Sequence, residues 1–222
     1  MDLNNIRELN LRETKQKIKE SVTEDLLLIQ AVHSYNELIK AESRLLNVLK
    51  EWYGYYFPEL VEREDFINFI LEDKSKLMKK LEIKESLGAE LKRDDIERIL
   101  DFARTIRDLK NSRDKIESYI EIKIKQIAPE LSKAATPIIG ARLIEKAGSL
   151  KHLAELPSST IQVLGSEKAL FRHLKLKTKA PKYGIIFSHP DLLNVKKEDR
   201  GKTARRIAAK ISIAVKKDYF RK

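Results

Sequence analysis

The chain contains no cysteine among its 222 residues. This absence excludes disulfide bonds, thiolate metal sites and cysteine nucleophiles, and it is typical of proteins that need no oxidising compartment. The sequence also has no signal peptide and no apolar run of about 20 residues, the length that a membrane-spanning helix requires. Together these absences predict a soluble, intracellular chain that does not contact a membrane.

The residue patterns of common active sites are missing as well. There is no nucleophile elbow, no phosphate-binding glycine-rich loop and no dinucleotide fingerprint. The spacing of the four histidines matches no metal site: His33, His152, His173 and His189. The sequence therefore predicts a protein that is not an enzyme and that has no metal site and no cofactor.

Glycine and proline are scarce in the first part of the chain. Only Gly54, Gly88 and Pro58 precede residue 127, while five of the seven glycines and five of the six prolines follow it. Charge changes at the same place, since the first 126 residues hold 24 Lys and Arg against 26 acids and the rest hold 21 against 8. We therefore predict three segments: a polar lead-in (1–20), a helical coiled-coil domain (21–127) and a basic α-helical domain (128–222).

Three helical stretches are predicted before residue 128. Apolar residues recur at helical spacing over 21–52 and 93–126, and a further stretch covers 59–85. Gly88 suits a helix end and Asp94 or Asp95 a helix start, so we expect 59–85 and 93–126 to pair as a long antiparallel hairpin. The aromatic residues between the first two stretches predict a packed corner.

A hairpin of two helices buries too little apolar surface to be stable alone. We therefore expect this hairpin to pair two copies of the chain into a homodimer. Lys110–Lys115 interrupts the apolar stripe, so packing of the hairpin on the rest of its own chain remains the alternative to a regular coiled coil.

Shorter helices are predicted in the basic domain, where proline, serine and glycine delimit them. The expected helices are 137–147 ended by Gly148, 149–156, and one that Ser158 or Ser159 caps and Gly165 ends. The clearest amphipathic pattern covers 201–217, whose apolar face is Ala204, Ile207, Ala208, Ile211, Ala214 and Val215. The domain is thus predicted to be a compact bundle of short helices.

Two cationic clusters occupy this domain with few acids to neutralise them. One lies on the polar face of 201–217, and the other comprises Lys168, Arg172, Lys175, Lys177, Lys179 and Lys182. A surface of this kind binds RNA or DNA by releasing counterions from phosphates, with steep salt dependence. Charge alone predicts a polyanionic partner without identifying it.

The segment Pro157–Leu174 (PSSTIQVLGSEKALFRHL) closely resembles the motif of the Nop domain. Nop-domain proteins include the scaffolds of box C/D RNA-guided 2'-O-methylation particles and a related spliceosomal protein. The resemblance covers about nine-tenths of the chain and includes further segments: Asp25–Ala31, Glu51–Gly54, Phe57–Leu60, Ala141–Ile144, Pro181–Phe187, Arg200–Arg205 and Asp218–Phe220.

The resemblance implies a non-catalytic scaffold with three partners: guide RNA, a ribosomal-type protein already bound to the kink-turn of that RNA, and a second copy of the chain. It implies that RNA contacts Lys168, Arg172, Lys182, Arg200, Lys202, Arg205, Arg206 and Lys210. The motif loop and helix start facing the guide would be Gly165, Ser166, Glu167, Ala169, Leu170 and Phe171. The kink-turn and its protein would meet Ser158, Ser159, Thr160 and Gln162, and Lys182 would lie beside the unstacked kink-turn base.

The chain departs from the family pattern in two places. Ser166 stands where the family usually has alanine, which is a mild change. Nothing in residues 1–20 corresponds to the family's N-terminal domain, which recruits the methyltransferase fibrillarin, so recruitment by this chain is doubtful. The lack of a Lys-rich tail is typical of archaeal members.

Two other classes fit parts of the sequence. The segment 140–150 resembles the entry to a helix-hairpin-helix module of DNA-repair nucleases, although 156–160 lacks the glycines with which such modules bind phosphate. A helical adaptor whose basic face meets an acidic protein is the other alternative.

Overall fold

The computed structural model describes residues 3–63 and 66–221, with side chains from residue 6 onwards. Every regular element in these residues is helical and none is a strand, which confirms the predicted all-α fold class. None of the described helices is long and apolar enough to cross a membrane. The α-helices are α1 (Leu3–Glu20), α2 (Glu24–Gly54), α3 (Pro58–Val61), α4 (Phe66–Phe69), α5 (Lys74–Lys80), α6 (Arg93–Ile127), α7 (Pro129–Ala135), α8 (Pro137–Ala147), α9 (Leu150–Glu155), α10 (Ser158–Val163), α11 (Glu167–Leu176), α12 (Pro190–Leu193) and α13 (Arg200–Phe220), and a 3₁₀ turn covers Ile185–Ser188.

Residue contacts divide the chain into two compact units. One is Ser34–Ile116, and the other combines Met1–His33 with Glu117–Lys222. The first turns of α2 and the last turns of α6 thus belong with the C-terminal helices. The predicted domain boundary at residue 128 stays a prediction.

The core of the unit Ser34–Ile116 joins the end of α2 to the beginning of α6. Leu49 and Tyr53 of α2 belong to one buried cluster with Ile99, Ala103 and Ile106 of α6. Since the end of one helix meets the start of the other, the two helices run antiparallel in this unit. The long helices predicted at 21–52 and 93–126 are therefore confirmed as α2 and α6, with ends shifted by a few residues.

The segment 59–85 is not one helix, so its predicted pairing with 93–126 is wrong. Its described part forms α3, α4 and α5, whose Leu60, Phe66 and Leu77 are buried in the cluster just described. Asp73 separates α4 from α5, because its carboxylate accepts hydrogen bonds from the backbone N–H groups two and three residues further on. Residues 64 and 65 of this segment lie outside the described residues.

Gly88, Asp94 and Asp95 have other roles than those predicted. Gly88 does not end a helix, since α5 ends well before it; a Cβ there would lie 2.1 Å from the carbonyl oxygen of Tyr56. The glycine therefore permits two backbone segments to touch. Asp94 and Asp95 lie inside the first turn of α6, where negative charge is favourable, and do not precede it as caps.

The predicted aromatic corner at the end of α2 is confirmed in part, since Trp52 and Tyr55 are exposed. Tyr53 and Phe57 are fully buried, and the ring of Tyr53 meets the edge of Phe66 at a centroid distance of 5.5 Å. Burial raises the pKa of the Tyr53 hydroxyl, and the neighbouring Tyr56 adds to this effect.

The polar interruption at 110–115 is a contact between the two long helices. Nη1 of Arg113 lies 2.5 Å from Oε2 of Glu42 on α2, and the two side chains are only 22% and 17% exposed. A charged pair thus replaces one apolar layer of the helix pair.

The C-terminal unit is built around α13, which packs on α7, α9 and α10. All six residues of its predicted apolar face are buried, and its Asp218 accepts the N–H groups of Glu130 and Leu131 at the start of α7. In the same unit, Asp25 of α2 accepts the N–H of Leu150 at the start of α9. Carboxylates from distant segments thus cap two of the short helices.

The predicted helix ends of this unit are partly confirmed. Gly148 ends α8 in the left-handed conformation, and Ser149 caps α9. The predicted cap of α10 is wrong, because Pro157 occupies that position without a side-chain bond and Ser158 is the first helical residue. The polar lead-in forms α1, and all its described side chains are exposed.

Candidate nucleic-acid interface

Helix α11 lies on the surface of the C-terminal unit and has no buried residue. Lys168, Arg172 and Lys175 are spaced by four and three residues, so they share one face of the helix. All three are exposed. The result is a cationic stripe about two turns long that is open to solvent.

An apolar stripe runs beside the cationic one on the same helix. It comprises Leu170, Phe171 and Leu174, all exposed, with Phe171 at 62%. Large apolar side chains that stay uncovered in a group mark binding surfaces. The motif residues from Glu167 to Phe171 thus belong to α11, and only Gly165 and Ser166 form a loop.

The turn that leads into α11 is shaped by Gly165. Its φ is +88°, and a Cβ would lie 2.5 Å from Cγ1 of Ile185, so both conformation and space require glycine. The carboxylate of Glu167 accepts the N–H of Gly165 at 2.8 Å, and the Ser166 hydroxyl donates to the carbonyl of Val163. The serine at this motif position therefore fixes the turn that starts the helix.

The segment before the 3₁₀ turn is held against this same turn. Gln162 donates from Nε2 to the carbonyl of Lys182 at 2.6 Å and accepts the N–H of Gly184 on its own carbonyl. A Cβ on Gly184 would lie 1.9 Å from the carbonyl oxygen of Leu164, so no larger residue fits. The structure thus holds the exposed Lys182 against Gln162 in α10, the helix that precedes α11. The role of Gln162 in this contact was missed from the sequence, since it depends on a residue 20 positions away.

The predicted partner-facing residues at the start of α10 lie in its first turn. Ser159 is exposed, and Ser158 and Thr160 are partly exposed. None of the three serves as a helix cap. Their hydroxyl groups therefore remain at the surface of the unit near Gln162, which occupies the last turn of the helix.

Helix α13 presents the other predicted RNA-binding residues. Lys202, Arg205, Arg206 and Lys210 are exposed. Among the residues that the structure describes, none of these four, nor Lys168, Arg172 or Lys182, forms an ion pair with an acidic side chain. Their charge is therefore available to a partner.

Arg200 differs from the other predicted cations because it is partly buried. Its Nε donates to the carbonyl of Val195 at 3.1 Å, and its guanidinium lies 5.7 Å from the ring centre of Phe187. Phe187 in turn stacks on Tyr183 at 4.9 Å. The contacts of Arg200 thus support the segment that carries Lys182. Nothing in the local sequence pattern signals this stack.

In the described part of the chain, no group of three or more His, Asp or Glu side chains is arranged to hold a metal ion. The features that the surface offers are exposed cations, exposed apolar side chains and hydroxyl groups. They define an all-α protein whose C-terminal helices carry exposed cations that form no ion pair with an acid among the described residues.

Comparison with known proteins identifies the family. The model of the Nop family, described as "snoRNA binding domain, fibrillarin", matches residues 35–222. The chain belongs to the Nop-domain family. This agrees with the resemblance noted in the motif Pro157–Leu174.

Individual relatives are longer than this chain. A NOP5 family protein of Methanocaldococcus jannaschii is 39% identical over 93% of the chain, which covers 55% of that protein. Nucleolar protein 56 of Dictyostelium discoideum is 35% identical over 93% of the chain, which covers 43% of it. The chain thus spans about half the length of the curated relatives it matches. A crystal structure of a fibrillarin/Nop5p complex contains a chain that is 30% identical to this one. The alignment covers 99% of this chain and 73% of the chain in the complex, with a TM-score of 0.49.

Proposed function

We propose that this chain is a non-catalytic scaffold of a box C/D RNA-guided 2'-O-methylation ribonucleoprotein. It binds guide RNA together with the protein on the kink-turn, and it dimerises through the long helices. The observation that carries the proposal is α11, where a cationic stripe and an apolar stripe are both uncovered in a Nop-family chain.

The cationic stripe supports contact with RNA phosphates. Lys168 and Arg172 lie one turn apart on α11, and Lys182 is held by Gln162 of the preceding helix. Such groups bind backbone phosphates and recognise shape, which suits RNA because the deep groove of its duplex is too narrow for side chains. Each phosphate contact releases counterions and steepens the salt dependence.

The apolar stripe supports a protein partner at the same place. Phosphates offer nothing to Leu170 and Leu174, whereas a protein already bound to the RNA offers apolar surface. The hydroxyl groups of Ser158, Ser159 and Thr160 add polar contacts nearby. The composite of kink-turn and bound protein fits this mixture better than either component alone.

A gel shift tests the RNA proposal. We expect box C/D RNA to bind more tightly when the kink-turn protein is present, and unrelated duplex DNA to bind weakly. Lys168→Ala together with Arg172→Ala should weaken binding and lower the slope of log affinity against log salt by about two. The matched control changes two exposed lysines of α1, Lys15 and Lys19, to alanine. Equal binding of duplex DNA, or an unchanged slope, contradicts the proposal.

A stripe on α2 supports dimerisation through the long helices. Val48 of α2 is 52% exposed, the partly exposed Ala41 lies seven residues before it on that helix, and the exposed Tyr55 follows the helix end seven residues after it. A seven-residue apolar repeat is typical of helices that pair with another helix. The hairpin that we propose for dimerisation is therefore formed by α2 and α6, and not by 59–85 and 93–126.

Mass measurement in solution tests the dimer. We expect a dimer at micromolar concentration and a shift toward monomer for Val48→Glu. Leu9→Glu, an equally drastic change of an exposed side chain on α1, should leave the mass unchanged. A wild-type monomer at that concentration contradicts the proposal.

A further inference from the structure

A second cationic surface lies between α7 and α13, and its lining includes no residue of α11. We call it the α7–α13 groove and define it by its lining: Glu130, Lys133, Ala134, Lys210, Ile213, Ala214 and Lys217. Its volume is about 310 Å³. Only Lys210 also belongs to the predicted RNA-binding residues, so the groove is largely unassigned by the proposed function.

The floor of the groove is apolar. Ile213 is 58% exposed, although it lies on the helix that forms the core of its unit, and Ala134 and Ala214 lie beside it. Lys210 and Lys217 precede and follow Ile213 on α13, about 10 Å apart along the helix axis. The exposed apolar side chain of Ile213 thus lies between two lysines that are about two helical turns apart.

The charge of the groove is positive despite one acid in it. Glu130 is bonded to Lys133, with Oε1 and Nζ 2.8 Å apart. That hydrogen bond lowers the pKa of Glu130, and the charges of Lys133, Lys217 and Arg221 lower it further. No acidic side chain of the described residues pairs with Lys210 or Lys217.

We propose that the α7–α13 groove binds an acidic amphipathic helix of a partner protein. Such a helix can place an apolar side chain on Ile213 and acidic side chains two turns apart against Lys210 and Lys217. The two acidic side chains of the partner helix would then have the same separation as Lys210 and Lys217. RNA fits less well, because phosphates gain nothing from the exposed Ile213.

Fluorescence anisotropy tests this proposal with the full chain. The probe is a labelled helical peptide with leucines on one face and glutamates flanking them, compared with a scrambled peptide of the same composition. Ile213→Glu and Lys217→Glu should each weaken binding about tenfold, which is about 1.4 kcal/mol. Lys216→Glu makes the same charge change on the neighbouring exposed residue, outside the groove lining, and should change affinity less than about twofold.

Two results would overturn the proposal. Equal affinity for the scrambled peptide, or an equal loss with Lys216→Glu, would show attraction by net charge alone. Loss of box C/D RNA binding by Ile213→Glu, with normal helical circular dichroism, would assign the groove to RNA. Neither result depends on Lys168 and Arg172, so failure here is distinguishable from failure of the proposed function.

Discussion

The two units of the chain use charge in opposite ways. In Ser34–Ile116 three of the arginines form ion pairs: Arg98 and Arg104 both contact Asp101, and Arg113 contacts Glu42. In the C-terminal unit the cations of α11 and α13 form no ion pair with an acid among the described residues, and all of them except Arg200 are exposed. Pairs also occur in the C-terminal unit, as between Lys133 and Glu130, so the difference lies in the exposed cations of α11 and α13. The binding surfaces that we propose for the second unit consist of these unpaired cations.

Each unit has one glycine that allows two backbone segments to touch, Gly88 in the first unit and Gly184 in the second. Replacing these two glycines tests most sharply whether the two units have different roles. A Cβ on Gly88 would lie 2.1 Å from a carbonyl oxygen of one unit, and a Cβ on Gly184 would lie 1.9 Å from one of the other. Gly88→Ala and Gly184→Ala should each lower the free energy of unfolding by about 2–3 kcal/mol, since backbone must move. Urea unfolding measures this loss. Only Gly184→Ala should also weaken RNA binding, because the segment it displaces carries Lys182.

The control for these variants is Gly148→Ala. Gly148 has φ +85°, but no atom lies within 4 Å of the position of a Cβ. Gly148→Ala should therefore lower the free energy of unfolding by the conformational strain alone, about 1–2 kcal/mol. If Gly88→Ala weakened RNA binding as strongly as Gly184→Ala, the proposed separation of architectural and binding roles would be wrong.

Periodic patterns predicted the long elements correctly and the corner between them only in part. Helices α2, α6 and α13 each repeat an apolar face over many turns, so local spacing is sufficient to identify them. The segment 59–85 has enough apolar residues for a helix, but its Leu60, Phe66 and Leu77 point into one core from three short helices. That arrangement depends on α2 and α6, which no local pattern contains.

In the candidate nucleic-acid interface too, local sequence patterns predicted exposed faces but not the contacts between separate segments. The cations of α11 and α13 could be predicted because an exposed face needs only an amphipathic sequence. Gln162 and Arg200 were predicted to face partners, yet their described contacts reach Lys182, Val195 and Phe187 within the chain. Contacts between residues distant in sequence decide such roles, so composition and spacing cannot assign them.

Asp218 offers the next largest effect, within the C-terminal unit. Its carboxylate accepts two N–H groups at the start of α7, at 3.1 and 2.8 Å. Asp218→Ala should lower the free energy of unfolding by about 2 kcal/mol, because both donors lose their acceptor in a buried place. Asp218→Asn keeps one acceptor oxygen and should lose about half as much. The exposed Asp199→Ala serves as control in the same urea titrations, and an equal loss there would refute the capping role.

Arg113 and Glu42 test whether paired charge in the first unit is architectural. Arg113→Leu leaves Glu42 half-buried without this partner and should cost about 1–2 kcal/mol of unfolding free energy. The double variant Arg113→Leu with Glu42→Leu should recover most of the loss, since two apolar side chains restore the interrupted layer. Arg104→Ala, which breaks an exposed pair, should cost less than about 0.5 kcal/mol. A double variant as unstable as the single one would show that the pair itself is required.

Glu59 provides the smallest effect, which depends on pH. Burial would raise its pKa, but hydrogen bonds from the N–H of Leu87 and the hydroxyl of Ser86 lower it overall. Because the pKa of Glu59 is lower in the folded state, its charge stabilises the fold at pH values above the ordinary glutamate pKa of about 4.3. This contribution is lost as the pH falls through the folded-state pKa. The stability difference between the wild type and Glu59→Gln should therefore be full at pH 7 and should shrink below about pH 4. Urea titrations at both pH values measure it, with Glu51→Gln as the exposed control. A difference that is the same at both pH values would show that Glu59 stabilises the corner by packing and not by its charge.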